Sequence, residues 1–261
     1  MSLPYSICIE TLFGEAGPAE ARVRAAAAAG FDAVELWNWS SKDLDVLDET
    51  FRTTGVALKA MACEPRASLV DPTSHPAWLE GVSRSLDVAR RLRAEALVVH
   101  SGVSRIGVPR DEQRDALALA LSDAAARVAG SKVRLLLEPL NTRIDHPATF
   151  LDHTRDALAV VDAVGRPEVR LLYDVYHSVT MGETPQRVLA GRVDRVGHLH
   201  LADVPGRHEP GSGGLPWRGI LDWLEAQGYH GHVGLEYWPT QGTLGSLRSF
   251  IDTTGSNRRI S

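Results

Sequence analysis

Four ionisable residues of this 261-residue chain stand where burial alone would not put them. Glu138 ends the run Leu135-Leu136-Leu137, Asp174 ends Leu171-Leu172-Tyr173, Glu236 ends Val233-Gly234-Leu235, and His200 lies in Gly197-His198-Leu199-His200-Leu201. An apolar run that stops abruptly at a carboxylate is not what strand propensity or core packing selects. Three carboxylates brought to one place would repel one another and push at least one pKa upward unless a cation lay among them. One divalent metal ion resolves that conflict. Three oxygen donors and one imidazole, with positions left for substrate oxygens, suit Mn²⁺ or Mg²⁺, and also Co²⁺, better than a closed structural zinc. Taken singly, each acid could instead cap a following helix or pair with an arginine at the rim. Three acids and a histidine together at strand ends favour a shared site.

The elements that must position them follow from the hydrophobic pattern. Short apolar runs at 5–10, 33–36, 56–61, 96–100, 133–138, 169–174, 196–201 and 232–236 read as eight strands. Between them lie helical patterns, with Leu79, Val82, Leu86 and Ala89 on one face and Leu117, Leu121, Ala124 and Val128 on another. Gly30, Gly55, Gly130 and Gly228 follow helical stretches, where a glycine ends a helix by taking a left-handed conformation. Eight strand–helix units without a linker or low-complexity run predict a single (β/α)₈ TIM barrel over residues 1–261. An open nucleotide-binding sheet would need a glycine-rich turn after an early strand. The only glycine cluster, Gly211-Ser212-Gly213-Gly214, follows no strand directly and reads as a flexible loop.

In such a barrel the C-terminal ends of the strands carry the active site. Alternation along 197–201 puts His198 and His200 on one face and Leu199 and Leu201 on the other, so the leucines meet the helices and the histidines point inward. The same parity turns Glu138, Asp174 and Glu236 inward. His100 ends the fourth strand and His177 follows Asp174 by three residues, so both fall near the mouth as substrate or supporting groups. His198 reads as a satisfied core histidine, and His75, His146, His153, His230 and His232 as structural or surface residues. Trp37, Trp39 and Trp238 are candidates for pocket walls, with core packing the commoner fate of such residues.

Composition narrows the partners. With 28 basic and 33 acidic residues the chain carries a net charge of −5, which leaves no footprint for a nucleic-acid backbone. Lysine occurs only at Lys42, Lys59 and Lys132, and of these only Lys59 falls where a Schiff base inside the barrel is plausible. Cys8 and Cys63 read as free thiols. No basic leader or run of ~18 apolar residues appears, so the expectation is a cytoplasmic protein that engages no membrane. A homo-oligomer remains compatible with the sequence.

Four segments carry a resemblance over nearly the whole chain: Leu137-Glu138-Pro139-Leu140-Asn141; Asp174-Val175-Tyr176-His177; the stretch 200–211, with Pro205-Gly206-Arg207-His208-Glu209-Pro210-Gly211 its most specific part; and 228–237. In these the chain resembles the xylose-isomerase-like TIM-barrel family of sugar isomerases, epimerases and apurinic endonucleases, and within it the hydroxypyruvate isomerase branch. The resemblance implies that Glu138 and Glu236 ligate the metal and act as the acid–base pair. It further implies that Asp174 and His200 complete the ligand set, and that His177 and Arg207 lie against the substrate. His200 stands where hydroxypyruvate isomerases commonly carry glutamine and ketose 3-epimerases carry histidine. The endonuclease branch has an Asp-x-His pair in this loop, where the present chain has Gly206-Arg207-His208.

The implied reaction moves a carbonyl between adjacent carbons through an enediolate, with a small keto acid or ketose as substrate. Hydroxypyruvate going to tartronate semialdehyde, or a close analogue, is the reaction expected. The alternative is a ketose 3-epimerase of the tagatose or psicose type using the same glutamates. Arg207 is the expected grip on a substrate carboxylate, since a guanidinium holds one with two parallel bonds. Its bland alternative is a rim pair with Glu209.

Overall fold

A computed structural model describes residues 3–256. Eight strands, β1 (Tyr5–Cys8), β2 (Ala33–Leu36), β3 (Ala57–Ala62), β4 (Ala96–His100), β5 (Arg134–Glu138), β6 (Val169–Asp174), β7 (Val196–Leu201) and β8 (Val233–Leu235), pair in parallel with their sequence neighbours. The ring closes through β1 and β8, where Tyr5, Ser6 and Ile7 face Val233, Gly234 and Leu235. The molecule is thus a single TIM barrel. The first and last strands are shorter than their apolar runs, and Glu236 lies one residue beyond β8. Its N–H still bonds the Leu201 carbonyl, so the carboxylate keeps the inward parity.

The outer layer holds α1 (Ala19–Ala28), α2 (Leu44–Thr54), α3 (His75–Leu92), α4 (Arg110–Val128), α5 (Thr154–Val164), the short α6 (Val175–Thr180) and α7 (Pro185–Val188), α8 (Trp217–Ala226) and α9 (Thr243–Thr254). The predicted faces of α3 and α4 are buried against the strands. At α2 the ends follow local chemistry: Asp43 accepts from the N–H groups of Asp45 and Val46, and Gly55 closes the helix at φ +70°. Among the described residues no helix is long and apolar enough to cross a membrane.

The main core lies between barrel and helices. Leu137, Tyr173, Leu199, Leu201 and Leu235 belong to it, each outward-facing as alternation requires. The barrel interior holds a far smaller apolar cluster of Ala60, Ala96, Leu136 and Leu172, with Val98 packed against it. Alanines there leave space that larger branched residues would fill, and above them the interior turns polar.

Candidate active site

The strand ends bring the four sequence-derived donors together. Glu138, Asp174, His200 and Glu236 are all buried, and one donor atom from each lies within 4.8 Å of the others. Strand register accounts for this, because Asp174 of β6 faces His200 of β7 directly. His200 Nδ1 lies 3.3 Å from Glu236 Oε2 and 3.6 Å from Glu138 Oε1, yet makes no hydrogen bond. Its Nε2 is 2.8 Å from a carboxylate the sequence reading passed over, Glu35 of β2. Glu35 takes His198 Nε2 on its other oxygen, also at 2.8 Å, so His198 is the satisfied interior histidine expected.

Electrostatics in the cluster show the strain of crowding acids together. Burial, added to the charges of Glu138 and Glu236 and only partly offset by Arg207, raises the Asp174 carboxyl to about 7. Burial pushes Glu138 and Glu236 the same way, but the hydrogen bonds and charges of their neighbours win. His100 and His200 hold Glu138 well below the usual carboxylate range, and His200 and Arg207 hold Glu236 at about 2. His200 is raised well above an ordinary imidazole because the surrounding carboxylates outweigh its desolvation.

A cavity opens above this cluster, lined by Glu138, Glu236 and His200 together with His100, His177 and Arg207. His100 Nε2 lies 2.9 Å from Glu138 Oε2. His177 Nδ1 is the atom approached by the Asn141 side-chain amide at 2.7 Å and the Asn141 backbone N–H at 3.3 Å. Two donors on Nδ1 leave the proton on Nε2, which is buried, 3.6 Å from Asp174 Oδ2, and makes no hydrogen bond. Burial, with the Arg207 charge adding to it, lowers the His177 pKa to about 3, so the ring is neutral.

Arg207 departs from the rim pairing with Glu209. Glu209 is buried and accepts from the backbone N–H and hydroxyl of Thr240, while Arg207 turns inward. Its Nη2 donates to Glu236 Oε2 and lies 3.5 Å from Asp174 Oδ2, and its guanidinium carbon is 5.3 Å from the Tyr176 ring centre. The backbone at Arg207 has φ +58°, a conformation costly for a residue with a Cβ, and its carbonyl is fixed by the Trp238 N–H at 2.8 Å. Nη2 is thus engaged, while the Nε is buried and makes no hydrogen bond.

Residues 23–253 match the sequence profile of the xylose isomerase-like TIM barrel. The chain belongs to that family. A hydroxypyruvate isomerase of Escherichia coli is 29% identical, with 94% of this chain and 97% of that protein covered. A 2-oxo-tetronate isomerase of Cupriavidus necator is also 29% identical, covering 88% of this chain and 92% of the relative. A crystal structure of a Brucella melitensis protein described as an AP endonuclease of family 2 superposes with a TM-score of 0.90 at 28% identity, covering 96% and 98% of the two chains. With such relatives this xylose isomerase-like barrel is an isomerase of the sugar isomerase and epimerase group.

Other expectations for this family member need correction. The 211–214 loop is organised, because the fully buried Asp203 accepts from the N–H groups of Val204, Gly211 and Leu215 and from Trp217 Nε1. His146, expected to be structural, lines the cavity beside His177, their ring centres 5.4 Å apart. Trp37 walls the cavity, but Trp39 bonds Ser85 instead. Lys59 pairs with Glu95 at 2.6 Å in a separate pocket shared with Lys132 and Arg134, which removes it from the chemistry. Inward parity of the acid in Ala33-Val34-Glu35-Leu36 was the one signal that could have revealed Glu35.

Proposed function

We propose that this isomerase interconverts a small 2-oxo acid and its aldehyde isomer, hydroxypyruvate and tartronate semialdehyde or a close analogue, in a divalent-metal-dependent reaction. The observation that carries the reading is the set of unpartnered atoms. Three buried side-chain nitrogens without a hydrogen bond, His200 Nδ1, His177 Nε2 and Arg207 Nε, belong to residues that line one cavity. An imidazole nitrogen among three carboxylates, which a metal ion would strip of its proton, fits such an ion, and Glu138, Asp174, His200 and Glu236 would hold it. A bound divalent ion would supply Lewis-acid stabilisation of the negative charge that develops on the substrate oxygens, worth several kcal/mol of barrier.

The protein groups then have separable tasks. One glutamate of the Glu138 and Glu236 pair takes a proton from C3 of hydroxypyruvate, leaving an enediolate, and the other supplies a proton to C2. The hydroxyl proton moves from O3 to O2, so the product is an isomer with no atom gained or lost. His177, neutral and protonated on Nε2, donates to a substrate oxygen without giving up its proton. Arg207 Nε adds a charged donor on the same wall. The relatives' names, hydroxypyruvate isomerase and 2-oxo-tetronate isomerase, support an acidic substrate.

His200 favours one second reading. If the second glutamate returned the proton to the opposite face of the same carbon, the outcome would be epimerisation of a ketose at C3. The test is deuterium wash-in from D₂O, followed by NMR for hydroxypyruvate and for neutral ketoses with and without metal. Metal-dependent label at C3 of hydroxypyruvate with formation of the aldehyde is expected. Exchange on ketoses alone would install the epimerase, and no exchange on either would remove both readings.

A further inference from the structure

Beneath the donor cluster the barrel interior holds a second polar group that the reaction itself does not use. The Glu35 carboxylate accepts from His200 Nε2 on Oε2, and from His198 Nε2 and the Ser6 hydroxyl on Oε1, at 2.8, 2.8 and 2.5 Å. All four residues are buried. The contact reaches from β2 to β7 across the inside of the barrel, past β1 and β8. Space for it comes from Gly234 of β8, where a Cβ would lie 2.3 Å from Glu35 Oε1 and 2.6 Å from His200 Cδ2. Any other residue at 234 would have to displace the carboxylate or the ring.

We propose that Glu35 is a positioning residue, which holds the His200 ring by Nε2 and so reserves Nδ1 for a metal ion at the mouth. A carboxylate can only accept, so the nitrogen facing it keeps its hydrogen, and the proton that a metal ion would displace is the one on the other nitrogen of the ring. That other atom is Nδ1, the nitrogen left without a partner among Glu138, Asp174 and Glu236. Carboxylates placed behind a ligating histidine fix its orientation and increase its basicity, and their loss typically costs 10- to 100-fold in metal affinity. Ser6 and His198 occupy Oε1 and steady the carboxylate, while Gly234 leaves it room. The trio Glu35, His198 and His200 also has the composition of a metal site. Its facing atoms are already joined by hydrogen bonds, whereas the upper cluster leaves a nitrogen open.

This inference rests on the metal reading above, and its test separates the two. Mn²⁺ and Co²⁺ affinity is measured by calorimetry on metal-stripped protein for the wild type, Glu35→Gln, Glu35→Met and Gly234→Ala, with circular dichroism and Tm confirming the fold. Glu35→Gln retains shape and one neutral acceptor, and about a tenfold loss is expected. Glu35→Met removes the acceptor and should lose roughly 100-fold. Gly234→Ala changes no polar group, yet should weaken binding at least several-fold by crowding the same contact. The visible spectrum of the Co²⁺ form should shift in the variants, because the imidazole is no longer held in place. Folded Glu35 variants that bind both ions as tightly as wild type would overturn the positioning role and leave the metal reading intact. A wild type that binds neither ion would overturn the metal reading itself. If neither Glu35 variant folds, Gly234→Ala decides, and unchanged affinity there overturns the inference.

Discussion

Trp37 Nε1 donates to Glu236 Oε1 at 2.7 Å, joining the loop after β2 to the carboxylate that follows β8, 199 positions away in sequence. The other oxygen of Glu236 takes Arg207. Glu236 is therefore held from two sides while its edge faces the cavity, the arrangement a proton-transferring group needs if its reach is to stay fixed.

Trp37→Phe keeps an apolar ring on the wall and deletes the donor. A hydrogen bond to a charged group contributes about 1.5–3 kcal/mol. If that orientation is required in the transition state, kcat falls at least tenfold while metal content stays at the wild-type level. Steady-state kinetics on hydroxypyruvate with metal analysis of the same samples checks this, and an unchanged kcat would make the bond irrelevant to turnover.

Strand-end carboxylates were legible from sequence because they interrupt apolar runs, and period-two alternation then fixes which way they point. Glu138, Asp174 and His200 follow from that rule alone, since β5, β6 and β7 are adjacent. The hydrogen bonds of Glu35 and Trp37 were not legible, for a different reason. Their partners lie on β7 and beyond β8, and only closure of the barrel through β1 and β8 brings them within hydrogen-bonding distance. Arg207 was placed in the loop after β7 as a substrate group, but its contacts with Glu236 and Asp174 were not legible. Its inward turn depends on a left-handed backbone at 207 and on the burial of Glu209 by Thr240, neither of which has a sequence period.

Glu138→Gln and Glu236→Gln should each lower kcat by roughly 10²-fold or more, as expected for loss of an acid–base group. The two differ in their side effects. Glu236→Gln also takes the charged partner from Arg207, so its KM should rise further than that of Glu138→Gln. A variant at either position that keeps near-normal kcat on metal-replete protein removes that residue from proton transfer.

Metal binding should depend on pH in a direction fixed by Asp174. Its carboxyl titrates at about 7 in the metal-free protein against an ordinary value of 3.8, so the folded state takes up a proton that the unfolded chain at neutral pH does not hold. The metal-free protein is consequently destabilised as pH rises from about 4 to 7. A metal ion needs the ionised form and expels the proton. Below pH 7, affinity from this group alone should fall about tenfold per unit, and above pH 7 this dependence should vanish. Calorimetry in buffers of different ionisation enthalpy counts the protons released. Affinity that is flat from pH 5 to 7 would show that Asp174 is already ionised without metal.

Arg207 competes with a metal ion for the same oxygens, and that predicts opposite effects on two ligands. Its Nη2 donates to Glu236 Oε2 and lies 3.5 Å from Asp174 Oδ2, and both carboxylates belong to the donor cluster. Burial works against its charge, but Glu236, Asp174 and Glu138 together raise its pKa further, so the guanidinium is a fixed cation at the mouth. Arg207→Met keeps much of the side-chain volume over Tyr176 and removes the charge. Divalent ions should then bind several-fold more tightly, because no internal cation has to yield the carboxylates. KM for hydroxypyruvate should rise by at least tenfold in the same variant, since Nε no longer meets a substrate oxygen and a charge-assisted bond is lost. Arg207→Lys restores a charge without the guanidinium fork, so metal affinity should return toward wild type while KM stays high. Calorimetry for the metal and initial rates for the 2-oxo acid, run on one preparation of each variant, give both numbers. Metal affinity and substrate affinity falling together in Arg207→Met would mean that the arginine only shapes the loop between β7 and α8.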